Sequence, residues 1–205
     1  MIISWILVAA AALTDWWAVE NDRPKVELFA KPLVMVFLIG VVLAIDAEPD
    51  HARWWFVAAL AAGLIGDILL LPRINNFIGG LAAFALGHGL YIGGLSLMAV
   101  QGVPLLAGLA TGAILVAVVA RPIVNALRGH KLAVPVNIYI ALSAAVVALA
   151  SASGRWLLAA GAIAFALSDA LLGSDKFVQP APHRRVWIHR LYHLGQAGLV
   201  AGLAI

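Results

Sequence analysis

The sequence predicts an all-α polytopic membrane protein, a bundle of eight transmembrane helices with both termini extracytoplasmic. Three observations lead there. The 205-residue chain is 64% hydrophobic and only 11% charged, where a soluble domain carries about 25% charge. It divides into eight apolar segments, near 1–18, 28–45, 54–71, 77–99, 103–120, 132–151, 156–173 and 186–205, each close to the ~20 residues that cross a bilayer. The lysines and arginines then gather on one side of the resulting topology.

Each segment has its own boundaries. The first, MIISWILVAAAALTDWW, has the apolar core of a signal peptide but no Lys or Arg ahead of it, so it reads as a retained span. NDRP closes it. The second opens at FAKPL with Lys31 in its first turn, and DAEPDHAR separates it from the third, which contains GLIGDILLL. PRINN precedes the fourth, FIGGLAAFALGHGLY and its continuation. QGVP, RPIVNALRGHK, SASGR and SDKFVQPAPHRR mark the later breaks. Pro, Gly, Asn and charge punctuate every one of them. All are short, so successive helices should be antiparallel neighbours. The Gly- and Ala-rich seams GLAAFALGHG and AGLVAGLA permit close helix contact.

Loop charge sets the orientation. Odd-numbered connections carry Arg23, Lys25, Lys31, Arg73, Arg121, Arg128, Lys131, Lys176, Arg184 and Arg185, with Arg190 just inside the last helix. Even-numbered connections carry only Arg53 and Arg155. Lys and Arg stay on the cytoplasmic side, so both termini are expected outside, as an even number of spans requires. The net charge of +3 is thereby explained by topology, and no nucleic-acid partner is read from it. The absence of cysteine excludes disulfides, a thiol nucleophile and Cys-ligated metal. The expectation is a single integral-membrane domain over 1–205, in the inner membrane of a bacterium.

Within this apolar chain, Asp67 and Asp169 are the informative residues. Each sits inside a span, where a charged side chain costs about 2.5–3.5 kcal/mol at the helix centre. Both helices run from outside to inside, and each aspartate lies about five residues from its predicted helix end, roughly 6–8 Å below the cytoplasmic boundary. They are expected to share a pocket, with carboxylates within roughly 4–9 Å, the range of paired-carboxylate hydrolases. Lys31, Asn75, Asn76, Asn137, Tyr139, His189, Tyr192, His193 and Gln196 fall at similar depth, with His88 and Tyr91 nearer the middle of the fourth helix. The outer halves of the helices are almost purely apolar. This asymmetry predicts a cavity open to the cytoplasmic side.

Each of these residues also has a structural reading. Lys31 is either a snorkelling lysine or a ligand for a phosphate. Asn75 and Asn76 are either helix caps or ligands, and the tyrosines fit an aromatic belt. Asp15, beside Trp16 and Trp17, reads as interfacial. His189 and His193, four apart, share a helix face as metal ligands would, and with His88 and an aspartate would make a site. The lack of an HExxH motif and the neighbouring arginines argue against it, so no metal and no cofactor are assigned. Asp67 and Asp169 lie four spans apart, each followed by a leucine pair and a phenylalanine (Phe77, Phe177), a weak sign of a duplicated four-helix unit.

Taken together, KPL at 31–33, GDILLL at 66–71, the set Phe77, Gly80, Phe84, His88 and Tyr91, GAIAFALSDALL at 161–172, and Tyr192 and Gln196 in YHLGQAGL give the chain a resemblance to the YhhN family of membrane proteins. The order and spacing of these short motifs, over nearly the whole chain, carry it. The resemblance implies an eight-helix hydrolase that cleaves the vinyl ether bond of lysoplasmalogens to a fatty aldehyde and a glycerophospho-alcohol. It also implies that Asp67 and Asp169 form the catalytic pair, without a metal. Two carboxyl groups suit that chemistry: one donates a proton to the vinyl carbon, and the other, ionised, stabilises the oxocarbenium ion and activates water. Lys31 would hold the phosphate, and Asn76, His88, Tyr91, Tyr139, Tyr192 and Gln196 would line the substrate pocket. The partners implied are a lysophospholipid substrate and the bilayer, and the oligomeric state is left open. Two alternatives remain: a metal-dependent lipid hydrolase using His88, His189 and His193, and a proton-coupled transporter. The latter should show polar residues in both halves of the membrane, which this chain lacks.

Overall fold

A computed structural model describes residues 2–47, 49–98 and 100–204. Among them are eight helices: α1 (Ile2–Glu20), α2 (Pro24–Ala44), α3 (Asp50–Leu70), α4 (Phe77–Leu95), α5 (Gly102–Ala126), α6 (Ala133–Ala152), α7 (Trp156–Phe177) and α8 (Arg184–Leu203). Every predicted segment is a helix, and no strand occurs among the described residues. Seven, α1 to α7, are long and apolar enough to cross a membrane, and the chain is an integral membrane protein. The eighth has the length, 20 residues, but carries Arg184, Arg185, His189, Arg190, His193 and Gln196, so apolarity alone does not mark it as a span. Large apolar side chains such as Val103, Leu106, Val118 and Val134 are exposed, the surface that lipid covers in a bilayer.

The chain forms two compact units, one of Met1–Met98 with Leu203–Ile205 and one of Ala99–Gly202. In the first, α1 packs on α2, α2 on α3 and α3 on α4. The connections are too short for any other order. In the second, α5 packs on α6 and α6 on α7. There α8 lies against α7 at backbone distance: a Cβ on Gly161 would stand 2.5 Å from the Leu199 nitrogen and 2.8 Å from the Gly195 carbonyl oxygen. Only glycine permits that approach.

Local chemistry sets the ends. Pro24 opens α2, where its fixed φ suits the first turn and its missing N–H costs nothing. The Asn76 side chain caps α4, accepting a hydrogen bond from the Gly79 N–H at 2.9 Å. Within α5, residues Leu115–Ala120 form a π-helical segment just before Pro122. A proline ring crowds the carbonyl four residues back, and a widened turn relieves the clash.

The two cations on the sparsely charged side have structural duties. Arg53 Nη2 donates to the Ile45 carbonyl at the end of α2, 2.7 Å away. Arg155 Nη1 donates to the Gly202 carbonyl near the end of α8, at 3.3 Å. Both satisfy a carbonyl that a helix end leaves open.

Several boundaries differ from expectation, with consequences. Helix α2 begins at Pro24, four residues early, and continues through Pro32. Lys31 is therefore in a helix interior and not in the first turn. Helix α7 runs on through Ser174, Asp175 and Lys176 to Phe177, with Lys176 placed where the helix dipole favours a cation. Asp169 thus lies eight residues from its helix end and Asp67 only three from Leu70; the equal spacing expected of them does not occur. The phenylalanine match fails too, since Phe77 opens α4 while Phe177 closes α7.

Candidate active site

In the first unit, Asp67 is fully buried on α3. Lys31 on α2 reaches it, with Nζ 3.3 Å from Oδ1. Gly66 beside the aspartate admits α4: a Cβ there would stand 2.7 Å from the Phe84 ring. The next turn of α4 carries His88, also fully buried, with Nδ1 2.9 Å from the Phe84 carbonyl oxygen. A carbonyl only accepts, so this contact puts the proton on Nδ1. Tyr91, one turn further, stacks edge-on against Phe56 of α3, with ring centroids 5.0 Å apart.

In the second unit, Asp169 on α7 is half-buried. The Tyr139 hydroxyl of α6 donates a hydrogen bond to its carboxylate. The neighbouring Ser168 hydroxyl donates to the Ile188 carbonyl of α8 at 2.8 Å and ties the two helices beside the aspartate. On α8, His189, Tyr192, His193 and Gln196 are all buried. The Tyr192 ring lies 5.6 Å from Phe165 of α7 and 5.5 Å from His193. The His189 and His193 rings are 6.2 Å apart at 77°.

The two units repeat a device. In each, the aspartate is on the third helix, and its partner comes from an early turn of the second: Lys31 for Asp67, Tyr139 for Asp169. This correspondence is a better sign of internal duplication than the phenylalanines.

Other expected residues fall elsewhere. Asn76 is the exposed cap of α4, Asn75 is exposed with φ of 47°, and Asn137 is exposed on α6. The asparagines thus lie outside the buried polar sets. Among the described residues, no three His, Asp or Glu side chains come together as metal ligands, so the histidine-metal alternative finds no ligand set there.

The structure also buries two further acids. Asp15, expected at the interface, is 0% exposed, and Glu27, just ahead of the expected second segment, is 2% exposed. Both sit on helix stripes that a 3.6-residue period reveals. Asp15 continues Val8, Ala11, Ala12, Ala18 and Val19 on α1, and Glu27 leads Ala30, Lys31, Val34 and Met35 on α2. The signal lay in the small residues.

A family model of the YhhN family matches residues 26–203. This chain belongs to the YhhN family. The matched stretch of this YhhN protein takes in Glu27, Lys31, Asp67, His88, Tyr91, Tyr139, Asp169, Tyr192 and Gln196 and leaves Asp15 outside. The YhhN chain is 32% identical over 184 residues to lysoplasmalogenase TMEM86B of Sus scrofa, covering 87% of this chain and 76% of that protein. It is 33% identical over 187 residues to lysoplasmalogenase TMEM86B of Homo sapiens, covering 88% and 76%. A lysoplasmalogenase of Mycobacterium bovis is 37% identical over 140 residues, 62% of this chain and 51% of that protein. No solved structure matches.

Proposed function

We propose that this YhhN protein is a membrane-embedded lysoplasmalogenase, in which 1–205 acts as one functional domain. It hydrolyses the vinyl ether bond of a lysoplasmalogen to a fatty aldehyde and a glycerophospho-alcohol, with Asp67 and Asp169 as the catalytic carboxyl groups. The observation that carries this reading is the match to relatives named lysoplasmalogenase across 87–88% of the chain. Two inward-facing acids, each fixed by a polar partner, supply the chemistry.

A vinyl ether is activated by protonation at its terminal carbon, which makes an oxocarbenium ion. Water adds to that ion, and the hemiacetal collapses to aldehyde and alcohol. The enzyme needs an acid, a base, and negative charge near the cation, the same needs that paired carboxyl groups meet in glycoside hydrolysis. A low-dielectric interior strengthens that electrostatic help. His88, Tyr139, Tyr192 and Gln196 supply polar lining, and Tyr91 shapes the wall through Phe56. Asn76, the exposed cap of α4, takes no part in this reading. Lys31 is not a free phosphate ligand in this reading, because its ammonium faces Asp67.

The protein resides in a bacterial inner membrane in this reading, with α8 as an eighth span and both termini outside. The deeper position of Lys31 in α2 leaves the charge bias that supports this orientation intact. The test of function is release of fatty aldehyde from a lysoplasmalogen by the purified protein. The matched ester lysophospholipid, which has no vinyl ether, is the control. Absence of aldehyde from correctly inserted protein would refute the activity.

A further inference from the structure

The two units differ in charge. The second, Ala99–Gly202, holds eight lysines and arginines against two aspartates, and the first holds five against eight acids. An anionic group is drawn to the second unit. A lysoplasmalogen brings one, its phosphate. Lys31 faces Asp67 in the first unit, which leaves the phosphate to the cations of the second.

Most of those cations have another place or duty. Arg121, Arg128, Lys131 and Lys176 are exposed. Arg155 donates to the Gly202 carbonyl. Arg184 holds the connection between α7 and α8: its Nη1 stands 3.6 Å from the Asp175 Oδ1 and donates to the Gln179 carbonyl. Arg185 and Arg190 are half-buried. Of these two, Arg190 lies past the first turn of α8. It is two residues from Ile188, whose carbonyl accepts from the Ser168 hydroxyl. Asp169 adjoins that same serine. The tie therefore brings Arg190 and Asp169 to one level of the α7–α8 pair.

Arg190 is also aimed. Its Cζ stands 5.5 Å from the centre of the Trp187 ring. Trp187 precedes it by three residues, so the guanidinium points back toward the start of α8 and the charged connection. A cation over an indole face is held there by the charge distribution of the ring. The guanidinium donors lie in one plane, as a fork that matches two oxygens of a phosphate. We propose that Arg190 binds the substrate phosphate and thereby places the vinyl ether at Asp169. Only the glycerol carbons separate these two groups in a lysoplasmalogen. A phosphate held toward the start of α8 leaves the ether bond further along the helix, beside the aspartate. The inference rests on the lysoplasmalogenase reading with Asp169 at the reaction centre, and it involves residues of the second unit alone.

The decisive experiment compares two competitive inhibitors of lysoplasmalogen cleavage by the purified protein. One is a 1-alkyl lysophospholipid. The other is the matching 1-alkylglycerol, which lacks the phosphate; neither has a vinyl ether. The wild type should bind the first much more tightly. Arg190→Met should weaken that binding by at least about tenfold, the loss of a charge-assisted hydrogen bond. KM should rise in step, with kcat little changed. Binding of the alkylglycerol should suffer far less. Arg190→Lys should recover only part, because a point charge lacks the fork. Arg185→Met removes the same charge at the helix start and should change KM far less than Arg190→Met. Equal weakening of both inhibitors in Arg190→Met would make Arg190 a packing residue and overturn the proposal. An equal rise of KM in Arg185→Met, the mark of a diffuse surface potential, would also overturn it. So would inhibition of the wild type by inorganic phosphate as strong as by the lipid, the mark of a site for free anions. If Arg190→Met does not insert, Arg190→Lys keeps the charge, and an unchanged ratio of the two inhibition constants there would refute the phosphate contact. Failure of the underlying reading looks different: the wild type would release no aldehyde at all.

Discussion

Lys31 and Asp67 form an ion pair between α2 and α3, with Nζ 3.3 Å from Oδ1 and neither side chain more than 9% exposed. Breaking such a pair from one side strands a buried charge, at a cost of about 3–5 kcal/mol. Lys31→Met should therefore lower the unfolding temperature in detergent sharply, while Lys31→Met with Asp67→Asn should regain most of it without regaining activity. Equal stabilities for the single and double variants would show that the pair contributes no coupling.

The catalytic assignment makes a separate prediction. Asp67→Asn and Asp169→Asn keep shape and polarity but cannot transfer protons, so each should lose at least about 100-fold in turnover. The double variant should be little worse than the poorer single one, because groups that act as a unit are non-additive. Aldehyde-release assays on folded, inserted protein measure this. Substantial turnover in either single variant would make the aspartates structural.

Tyr139→Phe tests the support of Asp169. The ring stays and only the hydroxyl donor to the carboxylate is lost, so folding should persist. Turnover should fall by about tenfold, equivalent to ~1.4 kcal/mol of barrier, with KM little changed. Wild-type turnover in Tyr139→Phe would remove the hydrogen bond from the mechanism.

Packing in the second unit can be tested at Gly161. A methyl group there meets the Leu199 nitrogen at 2.5 Å, and that backbone can move only if α8 moves. Gly161→Ala should destabilise by about 1–3 kcal/mol, the range for overpacking, and reduce activity by disturbing the Ser168–Ile188 tie. Thermal unfolding of the purified variant reads the first effect. Unchanged stability would mean α8 is free to shift.

Orientation is open to direct assay. Reporters fused at the C-terminus should be active outside the cytoplasm, and reporters in the connection after α5, beside Arg128 and Lys131, should be active inside it. The opposite pattern would invert the topology and place the charged connections outside.

Composition and the repeated apolar segments were enough to call an all-helical membrane protein, because a chain in lipid must satisfy its backbone within helices or barrels. The same logic found Asp67 and Asp169, since a carboxylate in an apolar run is conspicuous at any register. The motif set around them also sufficed to point to the YhhN family. The partners were a different matter. That Lys31 meets Asp67, and Tyr139 meets Asp169, depends on helix rotation and on where α2 begins, and single residues at a helix end shift both. Asp15 and Glu27 were buried by the packing of their alanine and valine stripes, a collective property of a face that a residue's immediate neighbours do not reveal. The asparagines went the other way, to caps and surface, because a helix end claims the nearest side-chain acceptor. The sequence by itself determined the helices and the two acids, through the cost of placing polar groups in an apolar medium. Only the tertiary structure decided what each acid is held by, because that depends on distances between residues far apart in the chain.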